Sequence, residues 1–323
     1  MKPIDWREVG SEVVAPLYAA ERARWIQELD WDSAMNWVLI EATRAQGALP
    51  GYLVLDQSGA VAGWAFYFLH EQVLQIGGLT GRTTSVARSL LDVIMRSPEA
   101  ALAKDVSCFV LPDQPASSAF VQRRFDAQRF LYLRRSTDTV QSVSSTSEAS
   151  EAPAPLLTET TRFKSWNTSD DAPDTVRLFA TAYAESAAAR CFAAGRGLEG
   201  WVHYVKQLIR TPACGLLLPT ASFTARASDG ALQGVVLTTS IGPRSAHVAQ
   251  LVVDPAYARQ GIGRRLLEAA SAAAASEGRR NMTLLVSEDN AKAQALYTSA
   301  GFERRSEFLF GWRDRPIPRS AAA

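Results

Sequence analysis

The sequence predicts an α/β protein with mixed β-sheets flanked by helices, divided into two tandem domains. Helical and strand-like hydrophobic patterns alternate along both halves of the chain. Between them, residues 142–155 read SVSSTSEASEAPAP and cannot bury enough apolar surface to offset the entropy of ordering. At about 150 residues per domain, a chain of 323 residues is expected to form two domains. The predicted boundaries are 1–140 for the first domain, 141–156 for a flexible linker and 157–323 for the second domain.

Composition excludes several classes of protein. The chain has 34 Lys and Arg against 33 Asp and Glu, so no overall basic field indicates a nucleic acid or an anionic membrane as partner. Three scattered cysteines are too few for a disulfide framework or a zinc site, and no metal is expected. No apolar run is long enough to span a membrane, and the first ten residues, MKPIDWREVG, lack the apolar core of a signal peptide. We therefore expect a cytoplasmic enzyme.

The second half gives the clearer pattern of elements. Apolar residues recur with the period of a helix in four segments and with the period of a strand in six. Ser169 or Asp170 can cap the first of these helices, and Gly278 and Gly301 follow the last two. In chain order we predict a strand at 161–166, helices at 170–183 and 198–209, strands at 221–227, 232–240 and 247–253, a helix at 262–277, a strand at 282–286, a helix at 290–300 and a strand at 302–312.

The first half repeats a similar order. We predict helices at 10–27 and 33–46, strands at 52–56, 60–69 and 72–77, a helix at 84–95, a strand at 106–111, a helix at 117–127 and a strand at 130–134. Sliding one half over the other aligns Leu90-Leu91 with Leu266-Leu267 and Phe130 with Phe302. This internal similarity predicts an ancient duplication.

One segment of the second half has the pattern of an anion site. The apolar strand Leu251–Val253 leads through a short loop to Gly261 and Gly263, which open a long helix. The first turn of a helix leaves its backbone N–H groups without partners and carries a partial positive charge. Glycines would let a phosphate approach the amides of residues 260–264. Alternatively, the two glycines only start the helix tightly. The cations that can add charge at the rim are Arg259, Arg264 and Arg265.

Two motifs in this half resemble a known family. The run Ala258-Arg259-Gln260-Gly261-Ile262-Gly263 is similar to the signature Gln/Arg-x-x-Gly-x-Gly/Ala of the GNAT superfamily of acetyl-coenzyme-A-dependent N-acyltransferases. A second signature of that family is matched by Asn290-Ala-Lys-Ala-Gln-Ala-Leu-Tyr297-Thr-Ser-Ala-Gly301-Phe302. The resemblance covers about 160–312 and implies two tandem GNAT-like acyltransferase domains, the first of them a degenerate copy.

The resemblance also implies a site. Acetyl-CoA would be the cosubstrate, with its pyrophosphate on the loop 259–264 and its pantetheine in a cleft between two splayed strands. The cofactor-binding residues that it implies are Leu251, Val252, Val253, Arg259, Gln260, Gly261, Ile262, Gly263, Arg264 and Asn290. Tyr297 matches the usual general acid of the family, which protonates the departing thiolate; alternatively, its ring only packs on the sheet.

This chain departs from the family pattern in three places. Ala258 stands where the signature has Gln or Arg, and Ala249 and Gln250 stand where many members place a Glu. Because Gln cannot accept a proton, another base is needed. By strand alternation, His247 lies on the same face as Ala249 and Leu251. We expect His247 to drain the proton of the amine through water, as in some family members, since an imidazole with a pKa of about 6.5 suits that task. Alternatively, it is a strand residue hydrogen-bonded to a neighbour.

The remaining implied features concern the acceptor wall and the first domain. Members of the family form the acceptor wall where this chain has Phe192, Trp201, His203 and Tyr204, although ordinary helix packing would also explain these residues. In the first half, the same alignment places Arg82 opposite Ala258, Ser85 opposite Gly261, Phe125 opposite Tyr297 and Arg129 opposite Gly301. Phenylalanine has no proton to give, so this copy is expected to be inactive.

The sequence thus predicts an N-acetyltransferase that moves an acetyl group from acetyl-CoA to a primary amine, by direct attack in a ternary complex in the second domain. The expected acceptor is a small molecule or a peptide, with no nucleic acid and no membrane involved. Longer-acyl transfer, an aminoglycoside-type enzyme and a mycothiol-synthase-like enzyme remain open within the family. A coenzyme-A-binding sensor or scaffold without turnover is the alternative of another class. The sequence selects neither the acceptor nor an oligomeric state.

Overall fold

The computed structural model describes residues 2–70, 72–111, 115–137, 161–186, 189–193, 197–211 and 214–314. The predicted linker at 141–156 lies outside the described residues. The helices are α1 Ser11–Leu29, α2 Ala34–Ala45, α3 Thr84–Met95, α4 Pro98–Leu102, α5 Pro115–Gln122, α6 Thr168–Ala182, α7 Ala189–Ala193, α8 Gly197–Arg210, α9 Ile262–Ser276 and α10 Ala291–Ser299. The strands are β1 Ile4–Asp5, β2 Gly51–Leu55, β3 Val61–His70, β4 Val73–Gly81, β5 Asp105–Val110, β6 Asp126–Ser136, β7 Arg162–Ser165, β8 Leu216–Leu217, β9 Phe223–Arg226, β10 Leu232–Gly242, β11 Ser245–Val253, β12 Asn281–Ser287 and β13 Glu303–Asp314.

The chain divides into two compact units that do not follow the predicted halves. Unit 1 consists of Met1–Ala23, Ala34–Leu131 and Glu307–Ala323, and unit 2 consists of Arg24–Ser33 and Tyr132–Ser306. Each unit therefore takes its main part from one half of the sequence and a short segment from the other half. Hydrophobic periodicity could not predict this exchange, because it reports local structure and not the partner of each segment.

Unit 1 is built on the strand order β1-β2-β3-β4-β5. Leu309–Asp314 of β13 pair antiparallel with Asp105–Val110 of β5, so the end of the chain adds a strand to this sheet. One hydrophobic cluster joins the sheet to α3, α4 and α5. A second cluster contains Trp6, Trp64 and Phe66, whose rings stack at 5.5 Å and 6.0 Å between centroids.

Unit 2 has the strand order β6-β12-β11-β10-β9-β7, with β8 beside β10. Val235, Leu237 and Val252 pack against α6 and α8 on one face. On the other face, Ile262 and Leu266 of α9 lie against Gly234, where a Cβ would meet their side chains at 3.0–3.2 Å. The segment Arg24–Ser33 joins this unit through hydrogen bonds, among them Tyr132 Oη to the Leu29 carbonyl at 2.7 Å and Asp32 N to the Ile241 carbonyl at 2.7 Å.

Most predicted elements are confirmed to within a few residues at their ends. The largest errors are at α5, which was predicted to run to residue 127 but ends at Gln122, with β6 beginning at Asp126, and at β4, which was predicted to end at Gly77 but runs to Gly81. Two adjacent glycines look like a turn, whereas Gly77 forms a β-bulge: Gly78 pairs with Phe66 and Ile76 with Tyr67, so Gly77 has no partner of its own. The short elements β1, α4, α7 and β8 were not predicted.

Pairing and packing support the predicted match of Leu90 with Leu266, but not that of Phe130 with Phe302, because Phe125 holds the position of Phe302. Gly63 of β3 lies under Val86 and Leu90 as Gly234 of β10 lies under Ile262 and Leu266. The bulge at Gly77 recurs at Ala249 of β11, where Gln250 pairs with Leu237 and Val248 with Thr238. A bulge in the strand that precedes the long helix is therefore a shared feature of both units.

Candidate active site

The two central strands of unit 2 separate next to the bulge. β11 and β12 pair in parallel from Ser245 with Asn281 as far as Val248 with Leu284, but β11 continues to Val253 and β12 to Ser287. Beyond the last pair, the edge of β11 that faces β12 has no strand partner in the described structure. The splayed strands that the family resemblance implied are therefore present.

Backbone alternation decides which groups of β11 face this gap. The N–H of Asp254 donates to the Gln233 carbonyl of β10 at 2.9 Å, and Val252 pairs with Val235 of β10. Backbone polar groups point alternately to the two sides of a strand. The N–H and C=O groups of Val252 therefore also point to β10, whereas those of Leu251 and Val253 point into the gap. Of the three predicted strand residues, Leu251 and Val253 thus present free hydrogen-bonding groups, while Val252 is committed to the sheet.

The loop after β11 presents a row of unused donors. Arg259 and Gly261 have positive φ angles of 64° and 79°, and α9 begins at Ile262. In the described part of the chain, the N–H groups of Arg259 through Arg264 have no hydrogen-bond acceptor; Arg265 N is the next to be bonded, to the Gly261 carbonyl at 3.1 Å. Consecutive free amides at the start of a helix form a site for an anion such as a diphosphate. The residues present therefore fit the pyrophosphate of coenzyme A.

The three arginines at this loop differ in their contacts. Arg264 donates to the Ser299 hydroxyl at 2.5 Å and to the Ser299 carbonyl at 3.4 Å, which ties it to the end of α10. Arg265 lies over the Phe163 ring at 4.2 Å. Arg259 is exposed and has no acidic partner among the described residues. Of the three, Arg259 is therefore the cation that remains available to a ligand.

Tyr297 combines both predicted possibilities. Its ring is buried and packs at 5.9 Å from the Phe302 ring. Within the described residues its hydroxyl has no hydrogen-bond partner. Burial raises the pKa of the phenol and so keeps it protonated at neutral pH. A protonated hydroxyl without a partner can donate to a ligand.

Asn290 has a structural role that the sequence analysis did not assign to it. It is the N-cap of α10, and its Oδ1 accepts a hydrogen bond from Ala293 N at 3.1 Å. Because Oδ1 is used by the cap, only the side-chain amide nitrogen of Asn290 can bind a pantetheine arm.

His247 does not have the environment of a base that titrates near neutral pH. It is only 5% exposed, and its ring lies 5.4 Å from Trp31 and 6.1 Å from Tyr132. Its Nδ1 lies 2.9 Å from the Thr283 hydroxyl, as the alternative interpretation anticipated. Burial lowers the pKa of the imidazole to about 4. The expectation of a pKa near 6.5 was therefore wrong, since strand alternation gives no information about burial.

A buried glutamine links two tyrosines on the α6–α8 face of the sheet. Tyr183 Oη donates to Gln250 Oε1 at 2.8 Å, and Gln250 Nε2 donates to Tyr204 Oη at 2.9 Å. Trp201 stacks on Tyr183 at 5.0 Å, and Phe192 meets Tyr204 edge-on at 5.4 Å. The predicted acceptor-wall residues Phe192, Trp201 and Tyr204 are thus brought together, but Tyr183 was missed because no local sequence signal marks it.

The counterpart of Tyr297 in unit 1 is Phe120 and not the predicted Phe125. Phe302 N donates to the Tyr297 carbonyl at 3.0 Å, and Phe125 N donates to the Phe120 carbonyl at 3.1 Å. The residues before Phe302 and Phe125, Gly301 and Arg124, both have positive φ angles, of 81° and 57°. Matching these helix ends also replaces the predicted Arg129 by Arg124 opposite Gly301. The alignment by sequence failed here because the two segments differ in length.

In unit 1 the row of free amides is shorter. Among the described residues of this loop, only the N–H groups of Thr83, Thr84 and Ser85 have no acceptor, since Arg82 N donates to the Ala62 carbonyl at 2.8 Å. Arg82 follows β4 directly, whereas unit 2 places the additional turn Asp254–Tyr257 between β11 and Ala258. Thr83 caps α3 and its hydroxyl accepts from Val86 N at 3.3 Å. Arg82, opposite Ala258, forms an ion pair with Asp56 at 2.6 Å. These groups are used within unit 1.

Within the ranges listed above for the described chain, no group of three or more His, Cys, Asp or Glu side chains is arranged to hold a metal ion. None of the helices described is both long and apolar enough to cross a membrane.

Comparison with known proteins agrees with this geometry. A sequence model of the Acetyltransferase (GNAT) family matches residues 181–302. A mycothiol acetyltransferase of Clavibacter sepedonicus is 31% identical over 229 residues, which are 68% of this chain and 66% of the relative. The chain thus spans slightly less than two thirds of that relative's length.

Solved structures extend the likeness to the whole fold. A GCN5-related N-acetyltransferase from Sphaerobacter thermophilus has a TM-score of 0.68 at 16% identity and covers 97% of this chain and 96% of its own. A tandem GNAT protein from the clavulanic acid biosynthesis pathway has a TM-score of 0.55 at 17% identity and covers 83% and 84%. Residues 181–302 of this chain thus match the acetyltransferase (GNAT) family, and the solved structures show the same fold over nearly the whole chain.

Proposed function

We propose that the chain is an acetyl-CoA-dependent N-acetyltransferase whose active site lies in unit 2. The observation that carries this proposal is the open edge of β11 leading directly into six consecutive amides without acceptors. The edge offers hydrogen bonds to an extended amide-containing chain, and the amides offer a seat for a diphosphate. Coenzyme A contains these two parts in that order.

Each part of the site has a proposed task. The amides of residues 259–264 hold the diphosphate, with Arg259 as the additional cation. Leu251 and Val253 bind the pantetheine amides through their backbone groups, and the amide nitrogen of Asn290 faces the same arm. Acetyl-CoA supplies the acetyl group as a thioester, which a neutral primary amine attacks at its carbonyl carbon.

Tyr297 is the proposed proton donor. Bond formation between the amine nitrogen and the carbonyl carbon breaks the C–S bond and expels a thiolate, which takes a proton from the phenol. The nitrogen loses a proton as it becomes an amide, and this proton returns to the phenolate, so that Tyr297 is restored. Burial keeps this phenol protonated at neutral pH, and its hydroxyl has no competing partner in the described structure. His247 is not given the task of base, because its buried imidazole, with a pKa of about 4, is a weak proton acceptor.

The acceptor is proposed to be a small molecule or a peptide with a primary amine. The similarity to a mycothiol acetyltransferase makes the unacetylated form of mycothiol the first acceptor to test. Glucosamine, spermidine, L-lysine and tryptamine complete a panel that differs in charge and in aromatic character.

Two measurements test the proposal. Titration calorimetry with coenzyme A should show binding that Arg259→Glu weakens by about tenfold or more, whereas Arg265→Glu, at the neighbouring arginine on Phe163, leaves it nearly unchanged. Thiol release from acetyl-CoA should accelerate with at least one amine of the panel. Binding without release from any amine would support the sensor alternative, and absence of binding would refute the site.

A further inference from the structure

We propose that Tyr183 orients the attacking amine, and that Gln250 and Tyr204 are positioning residues that fix the direction of its hydroxyl. The inference rests on the proposed function and adds a substrate-contacting residue to it. It begins from the position of Gln250, which pairs with Leu237 directly beside the bulge residue Ala249. The bulge lies where β11 and β12 part, so Gln250 stands at the entrance to the gap.

The side-chain amide of Gln250 has both an acceptor and a donor, and it uses them for two tyrosine hydroxyls on the α6–α8 face. It is 3% exposed, and its Oε1 accepts from Tyr183 while its Nε2 donates to Tyr204. A glutamate would accept from both hydroxyls, and an apolar residue would leave both without this partner. The amide therefore sets the direction of both hydrogen bonds: the Tyr183 hydroxyl donates to Gln250, and the Tyr204 hydroxyl accepts from it.

The direction of these hydrogen bonds determines whether the Tyr183 hydroxyl can donate to a ligand or accept from it. Because its only proton is used by Gln250, its phenolic oxygen can act toward a ligand only as an acceptor. An amine that approaches the thioester must keep its lone pair for the carbonyl carbon, so its N–H groups are the groups that need acceptors. The oxygen of Tyr183 meets that need.

Tyr183 also lies within electrostatic range of the proposed acid. Burial, and after it the phenol of Tyr297, raise the pKa of Tyr183. Its ring is held by stacking on Trp201 and by a tilted contact with Phe192 at 5.9 Å. The residue as a whole is partly exposed, unlike Gln250 and Tyr204. Ring packing fixes the position of the oxygen, and Gln250 fixes its hydrogen-bonding direction.

The test compares acceptor and donor kinetics in the full-length chain. With the best amine of the panel, Gln250→Leu and Tyr183→Phe should each raise the acceptor KM about tenfold, the effect of one lost hydrogen bond, and leave the acetyl-CoA KM within about twofold. The double variant should lose no more than either single variant, because both remove the same interaction. Gln250→Glu, which can still accept from Tyr183, should keep the acceptor KM within about threefold of the wild-type value.

Gln233→Leu is the matched control. Gln233 is likewise 3% exposed in this sheet and is bonded to a hydroxyl, that of Thr161, outside the Tyr183–Gln250–Tyr204 chain. The Gln233→Leu variant should lose as much thermal stability as Gln250→Leu, but its acceptor KM should not change. If Gln250→Leu and Gln233→Leu have the same kinetics, the inference is overturned while the proposed function stands. If the wild-type chain releases no thiol with any amine, the proposed function fails, and the inference fails with it.

Discussion

Substitutions at Gly263 separate a ligand-binding glycine from one that only shapes the helix. Gly263 lies in the first turn of α9, and a Cβ there would meet Val253 Cγ2 at 3.4 Å and Leu296 Cδ2 at 3.6 Å, which are ordinary van der Waals contacts. The fold therefore has room for a side chain at this position. Replacing a helical glycine by alanine stabilises a helix by up to about 1 kcal/mol, and an acidic residue near a helix N-terminus adds about 0.3–1 kcal/mol.

Gly263→Glu should consequently fold at least as well as the wild-type chain but bind coenzyme A much more weakly. A unit charge about 5 Å from another, at an effective dielectric constant of about 20, costs about 3 kcal/mol, and solvent exposure reduces this by about half. We expect the dissociation constant of coenzyme A to rise by about 10- to 100-fold. Gly263→Ala, which the family signature also allows, should bind within about threefold of the wild-type value.

Calorimetric titration with coenzyme A at low and at high salt, with melting temperatures measured in parallel, makes the comparison. The loss in Gly263→Glu should shrink at high salt because added ions screen the repulsion. Equal affinity of the Ala and Glu variants would show that no diphosphate sits at this helix start. A loss of stability in both variants would show that our account of the space around Gly263 is wrong.

Three other predictions concern single side chains. Tyr297→Phe should lower the rate of thiol release by about 100-fold or more while coenzyme A binds as before, and an unchanged rate would remove Tyr297 from the mechanism. Burial lowers the pKa of His247 to about 4, below the ordinary value near 6.5, so this residue contributes stability that is present above pH 6.5 and is lost as the pH falls toward 4. Urea titrations should show that the free energy of unfolding falls by about 2 kcal/mol between pH 7 and pH 5 through this effect. The fall should be absent in His247→Gln and retained in His70→Asn, at an exposed histidine, and an equal fall in His247→Gln would contradict the assignment. Arg226 bonds to the fully buried Asp171 at 2.7 Å and to Asp174 at 2.8 Å, so Arg226→Met should lower the free energy of unfolding by about 3 kcal/mol, whereas Arg162→Met on the exposed neighbouring strand should change it by less than about 0.5 kcal/mol.

Local patterns in the sequence predicted nearly all helices and strands, because each apolar period reports which face of an element is buried. The glycine loop was also predicted from its local spacing, and Tyr297 was predicted from the resemblance of a local motif to a family signature. The strand β4 was predicted to end at Gly77, because a glycine pair does not reveal whether the partner strand continues beyond it.

Features that depend on distant residues were not accessible in this way. The burial of His247 depends on Trp31 and Tyr132, which are more than 100 residues away in the sequence. The same holds for the bond between Tyr183 and Gln250, 67 residues apart. Tertiary contacts set the protonation and the hydrogen-bonding direction of these groups, and neither property has a sequence period.

The exchange of short segments between the units bears on how the protein can be divided. Each unit needs a piece that is encoded in the other half of the gene: Leu309–Asp314 complete the pairing of β5, and Arg24–Ser33 supply the carbonyl that receives the Tyr132 hydroxyl. A polypeptide cut between residues 137 and 161 would thus give two fragments, neither of which contains a whole folding unit. We expect such fragments to fold when they are produced together and to aggregate when they are produced separately.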